Sequence, residues 1–466
     1  MLALPIEGRT ILKIALPLTT AYVAEMGMVI TDMIIVGRLG SAELAAVGLA
    51  GDLFYVILLS GMGIISIVGV LAAQCLGAGD RDGVVAAGEQ GMIAALLTSV
   101  PIMIVVWFFG PALFYANQDP EVVALVDAYA RMLVWGTFPA LGFTVLRNYI
   151  TALERSAIIG WITVVAVALN LLLNYTLVYG RFGFPPLGVA GAGIGTSLVN
   201  LAMFAAMAFY LMRSSAFDGY RIRLLPLRAD RAALGELLKL GGPVAMTQIL
   251  NGGMFSAAAV CVGMISAATL AAQQIVYSVI YLALSAAAGF ADAVRVRVAF
   301  GVGRQDPAAV ANSARLGITM AAAASLVAAL VLWLWPEALV RVFLTTSEGL
   351  SAERAADNKA ALSTAVALSA VAGLFLFFDG TQLVIANAVR GLRDTRAPLL
   401  ISLLGYWLVG LGSGLVFCFS FDWGALGLWI GLVLGVVLCN GLLLKRFRTT
   451  LDRVAATLAK RDEVLD

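Results

Sequence analysis

Glu25, Asp32 and Asp379 are carboxylates set in long apolar stretches. An acid at the centre of a bilayer costs roughly 2.5–3.5 kcal/mol on insertion scales, so such residues mark ion paths, proton relays or contacts with a cationic ligand. A bundle-facing acid satisfied by its neighbours is the plainer alternative for each. Asp379 lies in the run Phe377-Phe378-Asp379-Gly380-Thr381-Gln382. Glu25 and Asp32 are seven residues apart. On a helix that is nearly two turns, which places them on one face about 10 Å apart along the axis. They cannot share one ion at that distance, but they can line one path.

Neutral polar residues accompany these acids. Asn170 and Asn174 are one turn apart on a common helix face. Their amide oxygens suit an alkali-metal or proton site beside a carboxylate; hydrogen bonding between helices explains them equally well. Gln273 and Gln274 carry the same two readings. Asp292 is spaced to pair with Arg295 at i,i+3, and a static ion pair is the favoured expectation. Rings at Tyr277, Tyr281 and Phe378 can hold flat organic cations by stacking and cation–π contact, or simply pack.

What is missing narrows the chemistry. The chain has no histidine. That removes the commonest zinc ligand and the commonest general base, and leaves proton work near neutral pH to carboxylates. The cysteines Cys75, Cys261, Cys418 and Cys439 form no Cys-x-x-Cys pair and read as structural thiols. No Gly-x-x-x-x-Gly-Lys-Ser/Thr run is present. Energy for any transport must then come from an ion gradient or a partner. No Gly-x-Ser-x-Gly run or paired metal-ligand motif supports an intramembrane enzyme. No cofactor is expected beyond a coupling ion, H+ or Na+.

These residues must be positioned by helices in a membrane. The chain is 61% hydrophobic and 12% charged over 466 residues, with a mean hydropathy of +0.97. A soluble protein needs a far more polar surface. A spanning helix needs about 20 apolar residues. Such runs fall near 12–36, 51–75, 88–110, 125–150, 157–180 and 189–213, then near 236–262, 271–299, 311–336, 361–388, 397–419 and 424–447. The first run contains Glu25 and Asp32 and does not read as a cleavable signal peptide.

Charge sets the expected orientation. The N-terminus, every second loop and the C-terminus together carry 24 Lys and Arg; the other side carries only Arg38, Arg131, Arg181, Arg341, Arg354 and Lys359. The positive-inside rule then puts both termini in the cytoplasm. Orientation accounts fully for the basic stretch between the halves, and no nucleic-acid partner is expected.

The chain repeats itself. Leu12-Lys13-Ile14-Ala15-Leu16-Pro17 matches Leu238-Lys239-Leu240-Gly241-Gly242-Pro243 at a spacing of 226, and Gly27-Met28 matches Gly253-Met254 at the same spacing. Gly77, Gly79 and Asp82 fall on Gly301, Gly303 and Asp306; Gly188, Gly191 and Gly195 fall on Gly424, Gly427 and Gly431. Six spans per repeat is even, so the two repeats are parallel, an arrangement known for transporter halves. The expected fold is an all-α polytopic membrane protein with twelve transmembrane helices in two six-helix lobes around a central cleft. The lobes are 1–213 and 236–447, with a cytoplasmic linker at 214–235 and a tail at 448–466.

The segment DGTQLVIANAVRGLRDTRAP, residues 379–398, resembles the tenth-span signature of the multidrug and toxic compound extrusion family, NorM-like bacterial branch. GMVITDMIIVGRLG at 27–40, NLLLN at 170–174 and AAQQ at 271–274 are similar to its first, fifth and eighth spans, and the resemblance covers nearly the whole chain. It implies an antiporter in a bacterial inner membrane, a functional monomer that expels cationic amphipathic compounds against sodium ions or protons by alternating access. It also implies cation coupling at Asp32 and Asp379, with sodium at either as one expectation. Glu25 joins them as a coupling candidate. The supporting polar residues are Asn170, Asn174, Asn251, Gln274 and Gln382, and the candidate cleft rings are Tyr277, Tyr281 and Phe378. Where that branch usually has a seventh-span glutamate, this chain has Asn251, which falls on Glu25 at the repeat spacing. Either the charge has moved between lobes or the match is coincidence. The competing function is a flippase or exporter of a lipid-linked or amphipathic metabolite. The mid-span acids favour cations.

Overall fold

The computed structural model describes residues 6–115, 119–225, 228–341 and 352–465. The side chains at 267, 352–361 and 457–465, Arg354 and Lys359 among them, lie outside the described residues. The described residues form helices and no strand.

Twelve of these helices are long and apolar enough to cross a membrane. They are α1 (Ile6–Gly37), α2 (Ser41–Gly77), α3 (Arg81–Trp107), α4 (Pro120–Ala152), α5 (Ala157–Tyr179) and α6 (Gly188–Arg213), then α7 (Arg231–Gly263), α8 (Ala268–Gly303), α9 (Pro307–Leu334), α10 (Leu362–Gly391), α11 (Arg396–Ser420) and α12 (Gly424–Ala456). Each agrees with one of the twelve apolar runs. The helix carrying α12 continues to Leu465, so the segment expected as a tail is helical over its described length.

Local chemistry fixes the helix ends. Asp119 accepts from the Glu121 amide at 2.9 Å and precedes Pro120 at the first position of α4. Asp306 likewise accepts from the Ala309 amide at 2.9 Å, with Pro307 opening α9. A short polar side chain there satisfies a helix-start amide, and proline loses nothing at a position whose N–H has no partner. At α3 the cap is Asp80, which accepts from Gly83 at 2.9 Å. The sequence pairing at 224 matches Asp306 with Asp82, but the structure keeps the spacing of 226 through this turn: Gly77 ends α2 as Gly303 ends α8, and the matched caps are Asp80 and Asp306. α5 ends at Gly180 with φ 69°, a left-handed geometry that glycine adopts without penalty.

The chain divides into two compact units, Leu16–Ile249 with Ala299–Gln305, and Met1–Ala15 with Leu250–Val298 and Asp306–Asp466. Three of their boundaries fall inside α1, α7 and α8, and the fourth in the turn between α8 and α9. In the first unit the stretch Thr137–Ala152 of α4 is the central element, buried at every position except Phe138. α5 and α6 approach closely: a Cβ on Gly191 would stand 2.6 Å from the Leu177 carbonyl oxygen.

In the second unit the core gathers Phe375 and Leu376 of α10 with Trp429, Leu432 and Val436 of α12. The repeat-matched closeness recurs, since a Cβ on Gly427 would stand 2.6 Å from the Phe417 carbonyl carbon. α11 departs from α-helical winding over Leu403–Leu411 and Val416–Ser420, which are π-helical. Gly405, Gly410 and Gly414 of α11 face backbone of Gly435, Leu432 and Leu428 on α12. Small residues let backbones approach, and π-helical turns re-aim the side chains between them. The ends of α1 and α8 are joined within this unit: Arg297 donates to both Glu7 carboxylate oxygens at 2.8 Å. The Ser313 hydroxyl adds a bond to Glu7 at 2.7 Å.

Candidate functional site

Asp32 stands where α1, α5 and α6 converge. Asn170 Nδ2 donates to Asp32 Oδ1 at 3.0 Å, and Asn174 Nδ2 donates to the same oxygen. Thr196 Oγ1 donates to the other oxygen at 3.4 Å. The one-turn spacing of the two asparagines delivers both amides to one carboxylate, as expected from their shared face. Thr196 is the member that sequence reasoning missed; its signal was faint, a single hydroxyl one residue beyond the repeat-matched Gly195.

The amide oxygens of Asn170 and Asn174 are both buried and have no hydrogen-bond partner. Buried oxygens rarely stay unpaired, and each costs about 1–3 kcal/mol when it does. Here each belongs to an amide whose N–H side faces the Asp32 carboxylate; with both amides turned over, the carboxylate, the amide oxygens and the Thr196 hydroxyl would give an oxygen set of the kind hard cations take. Gly195 makes room for it, because a Cβ there would collide with Asn174 Oδ1.

In the second unit Asp379 on α10 accepts from the Tyr406 hydroxyl. Tyr406 is buried and belongs to the π-helical stretch Leu403–Leu411. A π-helical register does not follow from apolar periodicity, so this partner was not legible. At the spacing of 236 that relates the paired glycines, Tyr406 falls on Asn170. Each unit thus sets an acid against the matched place on its fifth helix. The acids themselves come from unmatched helices, α1 and α10. Gln382 is buried one turn beyond Asp379. Asn440 of α12 donates to the Phe378 carbonyl at 2.9 Å, and its own amide oxygen is buried and unpaired.

Glu25 is placed away from Asp32's partners. Arg147 of α4 reaches it, Nη1 to Oε1 at 2.9 Å. The Arg147 guanidinium also lies over the Tyr22 ring at 4.8 Å and near the Phe143 ring at 5.8 Å. Asn251 does not occupy an equivalent pair; its amide oxygen is buried without a partner, beside a Trp407 Nε1 bond to the Leu250 carbonyl at 3.0 Å.

Of the two glutamines, Gln273 is the buried one, with both amide atoms unpaired, whereas Gln274 is exposed. Tyr277 and Tyr281 join Phe255, Phe375 and Trp429 in a network of edge and tilted ring contacts. Tyr277 is buried and Tyr281 is exposed. Phe378 packs edge-on to Phe377 at 5.1 Å. Asp292 and Arg295 form the expected ion pair at 3.0 Å, and Arg295 donates to Asn387 at 3.3 Å. Among the described residues no group of three or more Cys, Asp or Glu side chains converges to hold a metal.

Twelve helices long and apolar enough to span a membrane, a repeated chain and acids held within those helices fit a polytopic membrane transporter. The MatE family pattern matches residues 17–176 and 243–416, and the chain belongs to that family. A protein of Synechococcus sp. called "Probable multidrug resistance protein NorM" is 34% identical over 441 residues, covering 95% of this chain and 94% of its own. A namesake from Bradyrhizobium diazoefficiens is 35% identical over 447 residues, covering 95% and 93%. The fold is that of a crystal structure of MATE in complex with MaL6, with a TM-score of 0.84 at 20% identity, covering 97% of each chain. The resemblance read from residues 379–398 and 27–40 therefore holds at family level, and the protein is a transporter rather than an enzyme.

Proposed function

We propose that the protein is a secondary active antiporter. It exports cationic amphipathic compounds against protons or sodium ions by alternating access, from a bacterial inner membrane with both termini cytoplasmic. The observation that carries this reading is the Asp32 site. Its carboxylate, two amides that donate to it and keep their own oxygens unpaired, and a hydroxyl form a largely buried polar cluster on three spanning helices. Such a cluster takes a small cation or a proton and has no work to do in an apolar bundle. The names of the NorM relatives support drugs as the cargo.

Coupling is assigned to Asp32 and Asp379. Glu25 was a third candidate, but Arg147 already neutralises it, so the loss of charge at Asn251 is not made good there. In everted vesicles, ethidium uptake should follow an imposed sodium or proton gradient, and Asp32→Asn should abolish that response at equal expression. An Asp32→Asn protein that pumps at the wild-type rate would falsify the assignment. Gradient-independent movement of a labelled lipid would favour the flippase reading instead.

A further inference from the structure

Tyr22 and Glu25 are three residues apart on α1; Phe143 and Arg147 are four apart on α4. Each pair therefore presents a ring and a charge on one face, a turn apart. In the folded chain the two faces meet. Arg147 is only 6% exposed, whereas the Glu25 side chain is 31% exposed. The guanidinium thus pairs with one carboxylate and lies against two ring faces. A carboxylate with aromatic walls is how proteins bind organic cations. Guanidinium is itself such a cation: planar, delocalised and weakly hydrated.

Resting on the antiport reading above, we propose that Glu25, Tyr22 and Phe143 form a cage for an aromatic substrate cation, and that Arg147 is its resting occupant. Substrate binds by exchange. Charge in the cage stays balanced in both states, so Glu25 is never left buried alone, a condition that costs several kcal/mol. The displaced guanidinium must leave a stretch of α4 that is buried from Arg147 to its end at Ala152, five residues and about 7.5 Å away, so exchange requires α4 to part from its neighbours, as a transport cycle does.

The occupant also sets specificity. A cation enters only if it stacks and pairs at least as well as guanidinium. Sodium ions and protons have no stacking face, so they are turned away here and left to Asp32, two turns along the same face of α1. Flat delocalised cations pass the threshold. Arg147 is thereby a specificity-determining residue, and the separation of cargo from coupling ion is built into one helix.

Ethidium fluorescence titrations on purified protein in detergent test the exchange. Arg147→Gln empties the cage and should bind ethidium about tenfold more tightly than wild type, while Phe143→Leu keeps the ion pair, loses a wall and should bind about tenfold more weakly. Glu25→Gln should weaken binding by a similar factor. Arg147→Gln leaves a partly buried charge alone and risks misfolding; where it does not purify as a folded monodisperse species, Phe143→Leu decides. Unchanged or weaker affinity in folded Arg147→Gln, or unchanged affinity in Phe143→Leu, overturns the cage and leaves a static ion pair. Wild-type protein that binds ethidium as described but cannot pump it in vesicles sinks the transport reading and leaves the cage standing.

Discussion

At the scale of single residues, the informative atoms around Asp32 are the ones left over. Asn170 and Asn174 spend their N–H groups on the carboxylate and hold two buried oxygens without partners. A cation at Asp32 would turn both amides over, bringing those oxygens onto it and relieving the cost of burying them unpaired. The loaded form should then be the more stable one, by RT ln(1 + [L]/Kd), about 2.7 kcal/mol at a hundredfold excess over Kd. We expect the melting temperature of purified protein to rise either with sodium at constant ionic strength and pH, or with proton concentration at constant salt. Whichever titration moves it names the coupling ion. Asp32→Asn should flatten that response; an ion response that survives in Asp32→Asn places the site elsewhere. Gly195→Ala is the companion test, since its methyl would strike Asn174 Oδ1. Overpacking of that kind costs about 1–3 kcal/mol. Transport should fall steeply, with the helical signal of the purified protein preserved.

At the scale of elements, two helices are shaped by contacts that no single-helix pattern contains. The start of α1 is held by Glu7, whose carboxylate takes the fork of Arg297 and the hydroxyl of Ser313. Both charged side chains are largely shielded, at 18% and 13% exposure. Removing one member of such a pair strands the other. Arg297→Gln should lower stability by roughly 3 kcal/mol, the low end for a buried pair, while Arg341→Gln, whose partner Glu337 is exposed, should change it by under about 1 kcal/mol. Equal thermal shifts for the two variants would show that shielding does not matter here. In α11 the π-helical turns depend on glycine contacts with α12. A Cβ on Gly435 would meet backbone of Gly405 and Gly410. Neither can yield, so Gly435→Ala must part the helices and draw Tyr406 off Asp379. Its transport defect should match that of Tyr406→Phe, and wild-type transport in both would detach this contact from coupling.

At the scale of the whole molecule, the distribution of basic residues is the strongest constraint. Twenty-four Lys and Arg on one side against six on the other predicts a fixed orientation with both ends cytoplasmic. A fluorescent protein fused after Asp466 should glow, and alkaline phosphatase at the same place should stay inactive. Phosphatase fused in the loop between Tyr179 and Gly188 should be active. The reverse pattern would invert every statement about which side cargo enters from.

The sequence by itself determined the elements. Apolar runs and repeated glycines place twelve helices because membrane insertion reads composition and length, both properties of the chain alone. It also determined the coupling candidates, since a carboxylate in hydrocarbon is costly wherever it points, and it put Asn170 and Asn174 on one face. Only the tertiary structure decided what each charge meets. Glu25 reads from the sequence as a coupling candidate, and α4 supplies it with Arg147 from 122 residues away. Gln273 rather than Gln274 proved to be the buried amide. Thr196 and Glu7 acquired their partners from helices distant in the chain, and Tyr406 acquired its partner from the preceding helix. Helix periodicity fixes which residues share a face but not which face another helix will cover. That choice is made by close packing among helices, through glycine contacts and π-helical turns that depend on two segments at once.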